Sequence, residues 1–137
     1  MTDPHEIAYL VDRFMRRISA NLHDKALSVD VDRVGPFGGM ILLTLSDTEP
    51  VSMHALVAHM GRDKSQMTRA VKSLEAKGMI ARHGCPDDGR VSVLQLTDKG
   101  RTFVADIKEV LSGVIDEILS PVSAGERQSL IAVLRKI

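Results

Sequence analysis

The sequence predicts a mainly α-helical fold with one small β-hairpin, an α+β arrangement. Apolar residues recur at steps of three and four along most of the 137-residue chain, which is typical of helices that bury one face. Residues that can cap helices stand where several of these stretches begin. Two short apolar runs, 79–84 and 91–96, flank the Pro-Asp-Asp-Gly sequence at 86–89, and Asp-Gly favours the positive φ of a hairpin turn.

The chain begins with two predicted helices. The first is expected over about residues 5–27, where the apolar residues form one stripe. That stripe consists of Ile7, Leu10, Val11, Phe14, Ile18 and Leu22. After the polar stretch 28–33, Pro36 and the apolar run behind it indicate a second helix, which turn-forming residues end near 46–50.

The segment from Ser52 to Gly78 has the spacing of two helices joined by a short turn. Ser52 can cap a short helix that Gly61 ends. Asp63 stands three residues before Gln66, so that each side chain can bond the other's backbone N–H at the start of a further helix. A three-residue turn between two helices is typical of a helix-turn-helix motif.

The rest of the chain completes a winged arrangement. The hairpin at 79–96 follows the second of these helices directly and forms a wing. Thr97 is expected to cap a long apolar helix that Pro121 stops, and Ser123 with Glu126 forms a second capping box that opens the last helix. The predicted architecture is a winged helix-turn-helix with additional helices at both ends of the chain.

Composition narrows the class of protein. The length fits a single domain, 1–137. No apolar run approaches the roughly 20 residues that span a bilayer, and no signal peptide is evident, so we expect a cytoplasmic protein without membrane contact. The single cysteine, Cys85, cannot form an intramolecular disulfide, and the histidines show no ligand spacing. We therefore expect no metal and no cofactor; an oxidation-sensitive Cys85 stays an alternative to a passive one.

Charge is unevenly distributed although the formal net charge is zero. Nine basic residues and five acidic residues lie between Arg62 and Arg101, which gives this segment a net charge of +4 and the remainder −4. The middle third of the chain is thus the candidate surface for a polyanion.

The helix expected at 63–78 separates into two faces. Its apolar face consists of Met67, Ala70, Val71 and Leu74. The opposite face carries polar and cationic residues that fit the major groove of DNA, where Arg can bind guanine and Gln can bind adenine. Expected base contacts are Ser65, Gln66, Thr68 and Arg69. Expected phosphate contacts are Lys64 and Lys72, and Ser73 lies on the same face.

At the wing, Arg90 is placed to enter a narrow, A·T-rich minor groove. Asp88 can orient Arg90 or simply form the turn. A solvated amphipathic helix is the alternative interpretation of residues 63–78, but the capped helix before it and the wing behind it favour DNA binding.

These segments resemble the DNA-binding core of the MarR family of bacterial transcriptional regulators. DKSQMTRAVKSLEAKGMIAR is similar to the family's recognition helix and first wing strand, and DDGRVSVLQLTDKG is similar to its wing motif. The Thr68-Arg69 pair also matches a frequent family feature. The wing-motif positions are occupied by Asp88, Arg90, Leu94, Leu96, Thr97 and Gly100.

The resemblance implies a homodimer that binds a pseudo-palindromic operator in double-stranded DNA, in most cases as a repressor. It implies a DNA-binding lobe at 33–100 and a helical dimerisation lobe at 1–32 and 101–137. The broad apolar surface of the terminal helices also favours a dimer, because it would otherwise be exposed. The resemblance further implies a small-molecule effector in a crevice that Arg17, His23 and Phe37 are candidates to line.

Two other functions were weighed against this one. A winged-helix dimer that acts as a protein-interaction module, like an antirepressor, would not bind DNA; the zero net charge and the acidic wing tip keep it open. An enzyme is not expected, because no Ser-His-Asp order, Gly-rich phosphate loop or carboxylate pair stands out.

Overall fold

The structure, a computed structural model, describes residues 3–85 and 88–137; the side chains of 85 and 88–91 lie outside this description. The predicted fold class is confirmed: the described residues form six helices and a small antiparallel sheet. The helices are α1 Pro4–Ala26, α2 Gly35–Thr48, α3 Met53–Met60, α4 Lys64–Ala76, α5 Asp98–Ile118 and α6 Ala124–Leu134. The strands are β1 Val51–Ser52, β2 Ile80–Cys85 and β3 Asp88–Leu96.

The chain divides into two compact units. The central unit, Lys25–Glu109, contains α2, α3, α4, the sheet and the first half of α5. The terminal unit contains the described residues up to Asp24 and Val110–Ile137, and so includes α6 and most of α1. The functional lobes expected at 33–100 and at the two ends of the chain stay predictions.

The core of the central unit lies between the three short helices, the sheet and the start of α5. Helix α4 faces this core with Met67, Val71 and Leu74, while Ala70 is only half-buried at its edge. The remaining buried apolar residues are Ile41, Leu42, Leu45, Val51, Leu56, Met79, Ile80, Leu94, Leu96, Phe103, Val104 and Ile107.

Local capping interactions set the ends of the helix-turn-helix. Ser52 Oγ accepts a hydrogen bond from Ala55 N at 3.1 Å, and Gly61 ends α3 in the left-handed region at φ 62°. Asp63 Oδ2 accepts from Gln66 N at 3.1 Å, as predicted. The return bond from the Gln66 side chain to the Asp63 backbone does not form, so this half of the predicted pair is wrong and the Gln66 amide stays exposed.

The sheet contains one strand that the sequence analysis missed. Its order is β1-β3-β2, and the two-residue strand β1 pairs Val51 with Leu94. A strand of two residues shows no alternation from which it could be predicted. The wing pairs further towards its tip than predicted, because β3 begins at Asp88 and the register shifts beside Gly84. Asp88 and Gly89 therefore belong to a strand, and residues 86–87 of the expected turn lie outside the described residues.

In the terminal unit the helices expose apolar residues. Neither α1 nor α6 has a buried residue, and only Val114 and Ile118 are buried in this part of α5. Arg127 holds α6 to the end of α5 through Asp116 Oδ1 at 2.9 Å and Leu119 O at 2.7 Å. The exposed apolar residues of the two helices are Ile7, Tyr9, Leu10, Val11, Met15, Leu130, Ile131, Val133 and Leu134.

Helix α4, the sheet and α5 meet at a set of hydrogen bonds that we term the α4–α5 junction (residues 78–79 and 97–100). Thr97 N donates to Met79 O at 3.0 Å, and Thr97 Oγ1 donates to Gly78 O at 2.6 Å. The same hydroxyl accepts from Gly100 N at 3.0 Å and so caps α5. Gly100 permits this approach, because a Cβ there would lie 2.2 Å from Met79 O.

Replacing Gly100 by Ala is expected to lower the free energy of unfolding by about 1–3 kcal/mol, because the added methyl group overlaps a backbone carbonyl that cannot move alone. Gly113→Ala in the same helix is the matched control, since nothing lies within 4 Å of its Cβ position. That variant should be neutral or gain up to about 1 kcal/mol. Urea denaturation measures both; equal stability of the two variants would contradict the steric argument.

The capping box of α6 changes the pKa of the Glu126 carboxyl group. Ser123 N donates to Glu126 Oε1 at 3.0 Å, and Ser123 Oγ accepts from Glu126 N at 3.2 Å. The Ser123 backbone N–H first, and the Ser123 hydroxyl second, act on the carboxylate and lower the pKa of Glu126 below its ordinary 4.5. Because the folded-state pKa is the lower one, this stabilisation is complete above the ordinary value and is lost as the pH falls through the folded-state pKa.

Ser123→Ala should therefore move the Glu126 pKa back towards 4.5, as followed by carbon NMR of its carboxyl group. Ser129→Ala, an exposed position of the same helix outside the capping box, should leave the pKa of Glu126 unchanged. An unchanged pKa in Ser123→Ala would mean that the side-chain bond does not act on this carboxyl.

Candidate nucleic-acid interface

Helix α4 presents a polar face to solvent because its apolar face is fixed in the core. Lys64, Ser65, Gln66, Arg69, Lys72 and Ser73 are all exposed. Thr68 differs from them: it is half-buried, and its Oγ1 donates to Lys64 O at 2.8 Å. Its hydroxyl hydrogen is used inside the helix, so Thr68 retains only an acceptor for another molecule.

The cations of the central unit fall into two groups. Lys64, Arg69 and Lys72 on α4 form no ion pair with any residue that the structure describes. Other nearby cations are neutralised by acids: Arg82 by Glu75 at 2.8 Å, Lys99 by Asp32 at 3.4 Å, and Arg101 by Glu49. The exposed face of α4 therefore carries three cations of the middle third that no described acid neutralises, while Lys77 at the end of this helix donates to the carbonyl of Arg33.

Arg62 is a further cation with no ion pair among the described residues, and it was not one of the predicted site residues. It lies in the turn before α4, and its guanidinium carbon is 5.4 Å from the centre of the Phe37 ring. This distance is that of a cation–π contact, which restrains a side chain without removing its charge. The only signal in the sequence was the position of Arg62 directly before the helix cap Asp63.

Strands β2 and β3 form the wing directly after α4, and the side chain of Arg82 links the wing to this helix. Arg82 Nη2 lies 2.8 Å from Glu75 Oε1, and Nη1 donates to Ser92 Oγ at 3.3 Å. Of the predicted wing residues, Asp88 and Arg90 have backbone within β3, but their side chains lie outside the described residues, as does that of Cys85. Their expected roles stay predictions.

The three candidate ligand-binding residues belong to different compact units, and their expected role stays a prediction. Arg17 and His23 are exposed on α1 in the terminal unit, and Phe37 belongs to the central unit. Phe37 is half-buried and packs under Arg62. The central unit contains an open cavity of about 260 Å³ between α2, β3 and α5, lined by residues that include Glu49 and Arg101.

Two further findings concern the described residues as a whole. None of their helices combines the length and apolar character that crossing a membrane requires. No group of three or more His, Cys, Asp or Glu side chains in them is arranged to hold a metal ion.

Comparison with known proteins places this chain beside bacterial regulators. The sequence model of the MarR family matches residues 39–92, from α2 into the wing. The chain is 35% identical over 97 residues to the uncharacterized HTH-type transcriptional regulator YdgJ of Bacillus subtilis. That alignment covers 71% of this chain and spans about three fifths of the length of YdgJ, 59%.

Solved structures share the fold over nearly the whole chain. The transcriptional repressor CouR, bound to a 23-mer DNA duplex, superimposes with a TM-score of 0.79 at 22% identity, over 94% of this chain and 89% of CouR. CouR from Rhodococcus jostii RHA1 has also been solved with p-coumaroyl-CoA, at a TM-score of 0.74 and 19% identity over 94% and 88% of the two chains. A MarR family transcriptional regulator from Silicibacter pomeroyi matches with a TM-score of 0.74 at 25% identity, over 95% and 86%.

The sequence match covers the helix-turn-helix and most of the wing, while the structural match covers 94% of the chain. The resemblance stated from the sequence motifs is thereby confirmed. Residues 39–92 carry the MarR family sequence pattern, and the chain is similar to winged helix-turn-helix transcriptional regulators of that family.

Proposed function

We propose that the protein is a dimeric transcriptional regulator that binds a specific sequence in double-stranded DNA, acts as a repressor and responds to a small ligand. One observation carries the proposal: the exposed face of α4 bears three cations that no described acid neutralises, on a helix whose other face is buried. Such a face is rigid, cationic and rich in donors, as major-groove recognition requires.

The side chains of α4 divide by chemistry into two kinds of DNA contact. Ser65, Gln66 and Arg69 are exposed groups with geometry suited to base edges, and Arg69 can bind guanine O6 and N7 together. Thr68 can only accept a hydrogen bond, which narrows its choice of base partners. Phosphate contacts are assigned to Lys64 and Lys72, with Ser73 beside them and Arg62 as a fourth cation before the helix.

The wing completes the proposed interface. Arg90 is assigned to the minor groove beside the α4 site, and Asp88 to orienting Arg90. CouR was solved on a DNA duplex and has the same fold, which supports an interface built from these elements.

A second copy of the chain is proposed to cover the apolar residues of α1 and α6. Side chains such as Tyr9 (66% exposed) and Leu134 (57% exposed) would otherwise form a large apolar surface. The lobe at 33–100 then binds DNA, and the segments 1–32 and 101–137 hold the dimer. A two-fold dimer places two recognition helices about 34 Å apart, so the operator is a pseudo-palindrome with half-sites one helical turn apart.

The effector is proposed to be a small organic molecule, because CouR of the same fold was solved with p-coumaroyl-CoA. It changes DNA affinity only if it binds the DNA-competent and the released arrangements with different strength. Arg17, His23 and Phe37 remain the candidate ligand contacts. The protein is proposed to act in the cytoplasm, where bacterial DNA lies, and to catalyse no reaction.

Arg69→Ala should weaken binding to the operator by about 1–3 kcal/mol and relax the base preference at one position. Lys72→Ala should weaken binding to all sequences alike and reduce the slope of log K against log salt by about 1. Lys108→Ala removes the same charge from α5 and should leave both quantities unchanged. Anisotropy titrations at several salt concentrations, with an operator selected from a random pool, measure these effects.

The same titrations test the proposed function itself. The wild-type protein should bind random duplex DNA weakly and in a salt-dependent way, since phosphate contacts do not require a sequence. A protein-interaction module with an unused DNA face would show no such binding. Wild-type affinity in Arg69→Ala would overturn the assignment of α4 as the recognition helix.

Leu134→Glu should convert the dimer into monomers, because it places a carboxylate in the proposed apolar interface. Met40→Glu is the matched control, since Met40 is 47% exposed on α2 within the lobe at 33–100 and its replacement should leave the dimer intact. Sedimentation velocity measures both. Wild-type protein that sediments as a monomer would contradict the proposed dimer.

A further inference from the structure

We propose that Arg82 is a positioning residue that holds the wing (β2 and β3) against the recognition helix α4. The inference rests on the proposed function, because it assigns to Arg82 an effect on DNA affinity that acts through the wing. Arg82 is not itself a DNA contact in this proposal.

One guanidinium joins three elements of the central unit. Arg82 in β2 pairs with Glu75 of α4 at 2.8 Å and donates to Ser92 of β3 at 3.3 Å. Glu75 and Arg82 lie on either side of the turn that contains Gly78, which adopts φ 76°. The ion pair thus connects the two sides of this turn and restrains the orientation of the hairpin relative to α4.

The position of Arg82 along the strand explains why this ion pair is needed there. Arg82 lies opposite Leu94 and shares a face with Ile80, and both of these apolar residues are buried in the core. The next residue of β2 on that face is Gly84, where a Cβ would meet nothing within 4 Å. Apolar packing therefore ends at Arg82, which is the last side chain of β2 with a described contact to α4 on this face.

The charge of Arg82 argues against a direct contact with DNA phosphates. Its side chain is 34% exposed and that of Glu75 is 29% exposed, so the pair is partly shielded from water. The cations assigned to phosphates, such as Lys64 and Lys72, have no acid beside them among the described residues. A neutralised guanidinium releases few counterions from DNA, whereas the geometry of the wing depends on its hydrogen bonds.

The test uses the full-length protein, the selected operator and three variants. Arg82→Gln and Glu75→Gln each break the ion pair by replacing one of its two members. The double replacement Glu75→Arg with Arg82→Glu restores an ion pair with the two charges exchanged. Affinity and salt slope come from anisotropy titrations, groove protection from hydroxyl-radical footprints, and folding from the melting temperature.

Arg82→Gln should weaken operator binding about fivefold and lose protection at the outer minor grooves, with the salt slope and the central major-groove contacts unchanged. Glu75→Gln should also weaken binding, although it removes a negative charge near the DNA. The reversed pair should regain most of the affinity. In an Arg90→Ala background, Arg82→Gln should cause no further loss, because both act through the wing.

Arg101→Gln is the matched control, since it breaks another Arg–Glu pair of the central unit, one that does not link the wing to α4. It should leave affinity and footprint unchanged even where it lowers the melting temperature. The inference is overturned by any of three results: wild-type affinity in Arg82→Gln, a salt slope reduced by about 1 in that variant, or stronger binding by Glu75→Gln. Absence of any salt-dependent duplex binding by the wild type would instead overturn the proposed function as a whole.

Discussion

The start of α5 packs closely against the backbone of the residues that follow α4, and the structure of the central unit depends on this contact. Thr97 donates to the carbonyls of both Gly78 and Met79, and Gly100 has no Cβ to obstruct them. These bonds fix the end of α4, both wing strands and the start of α5 relative to one another. The Leu-x-Leu-Thr-x-x-Gly part of the wing motif thus has a physical meaning: apolar residues for the core, a hydroxyl that bonds in two directions, and an absent side chain.

Features that depend on neighbours within four residues were predictable from the sequence. The caps at Ser52, Asp63 and Ser123 form as expected, because each hydrogen bond spans three residues and needs no tertiary partner. Strand β1 and its extension were not predictable. The carboxylate of Glu49, two residues before β1 begins, accepts from Leu96 N at 2.8 Å across 47 residues of sequence. No local pattern signals such a bond, since it exists only once α2 and β3 have been brought together.

The charges of the candidate interface were also only partly predictable from the sequence. Helical period was sufficient to select the exposed face of α4, because one buried stripe determines which residues remain outside. Counting cations was not sufficient, because the sequence does not reveal which of them meet an acid. Arg82 and Arg101 belong to the basic middle segment, yet each lies against a glutamate, while Arg62 stacks on an aromatic ring and keeps its charge available.

This division explains how a chain with zero net charge can serve as a DNA-binding protein. Beyond about 10 Å, salt screens charges from one another, so acids elsewhere on the chain contribute little at the surface of a duplex. What the phosphates of a bound duplex would meet is the local positive charge on α4, whose exposed cations pair with no described acid. The acids Glu75, Asp32 and Glu49 already pair with Arg82, Lys99 and Arg101. The paired cations stabilise contacts between the elements of the central unit, and the unpaired cations are available to phosphates. Replacing the acid of a pair would therefore change both these contacts and the local positive charge.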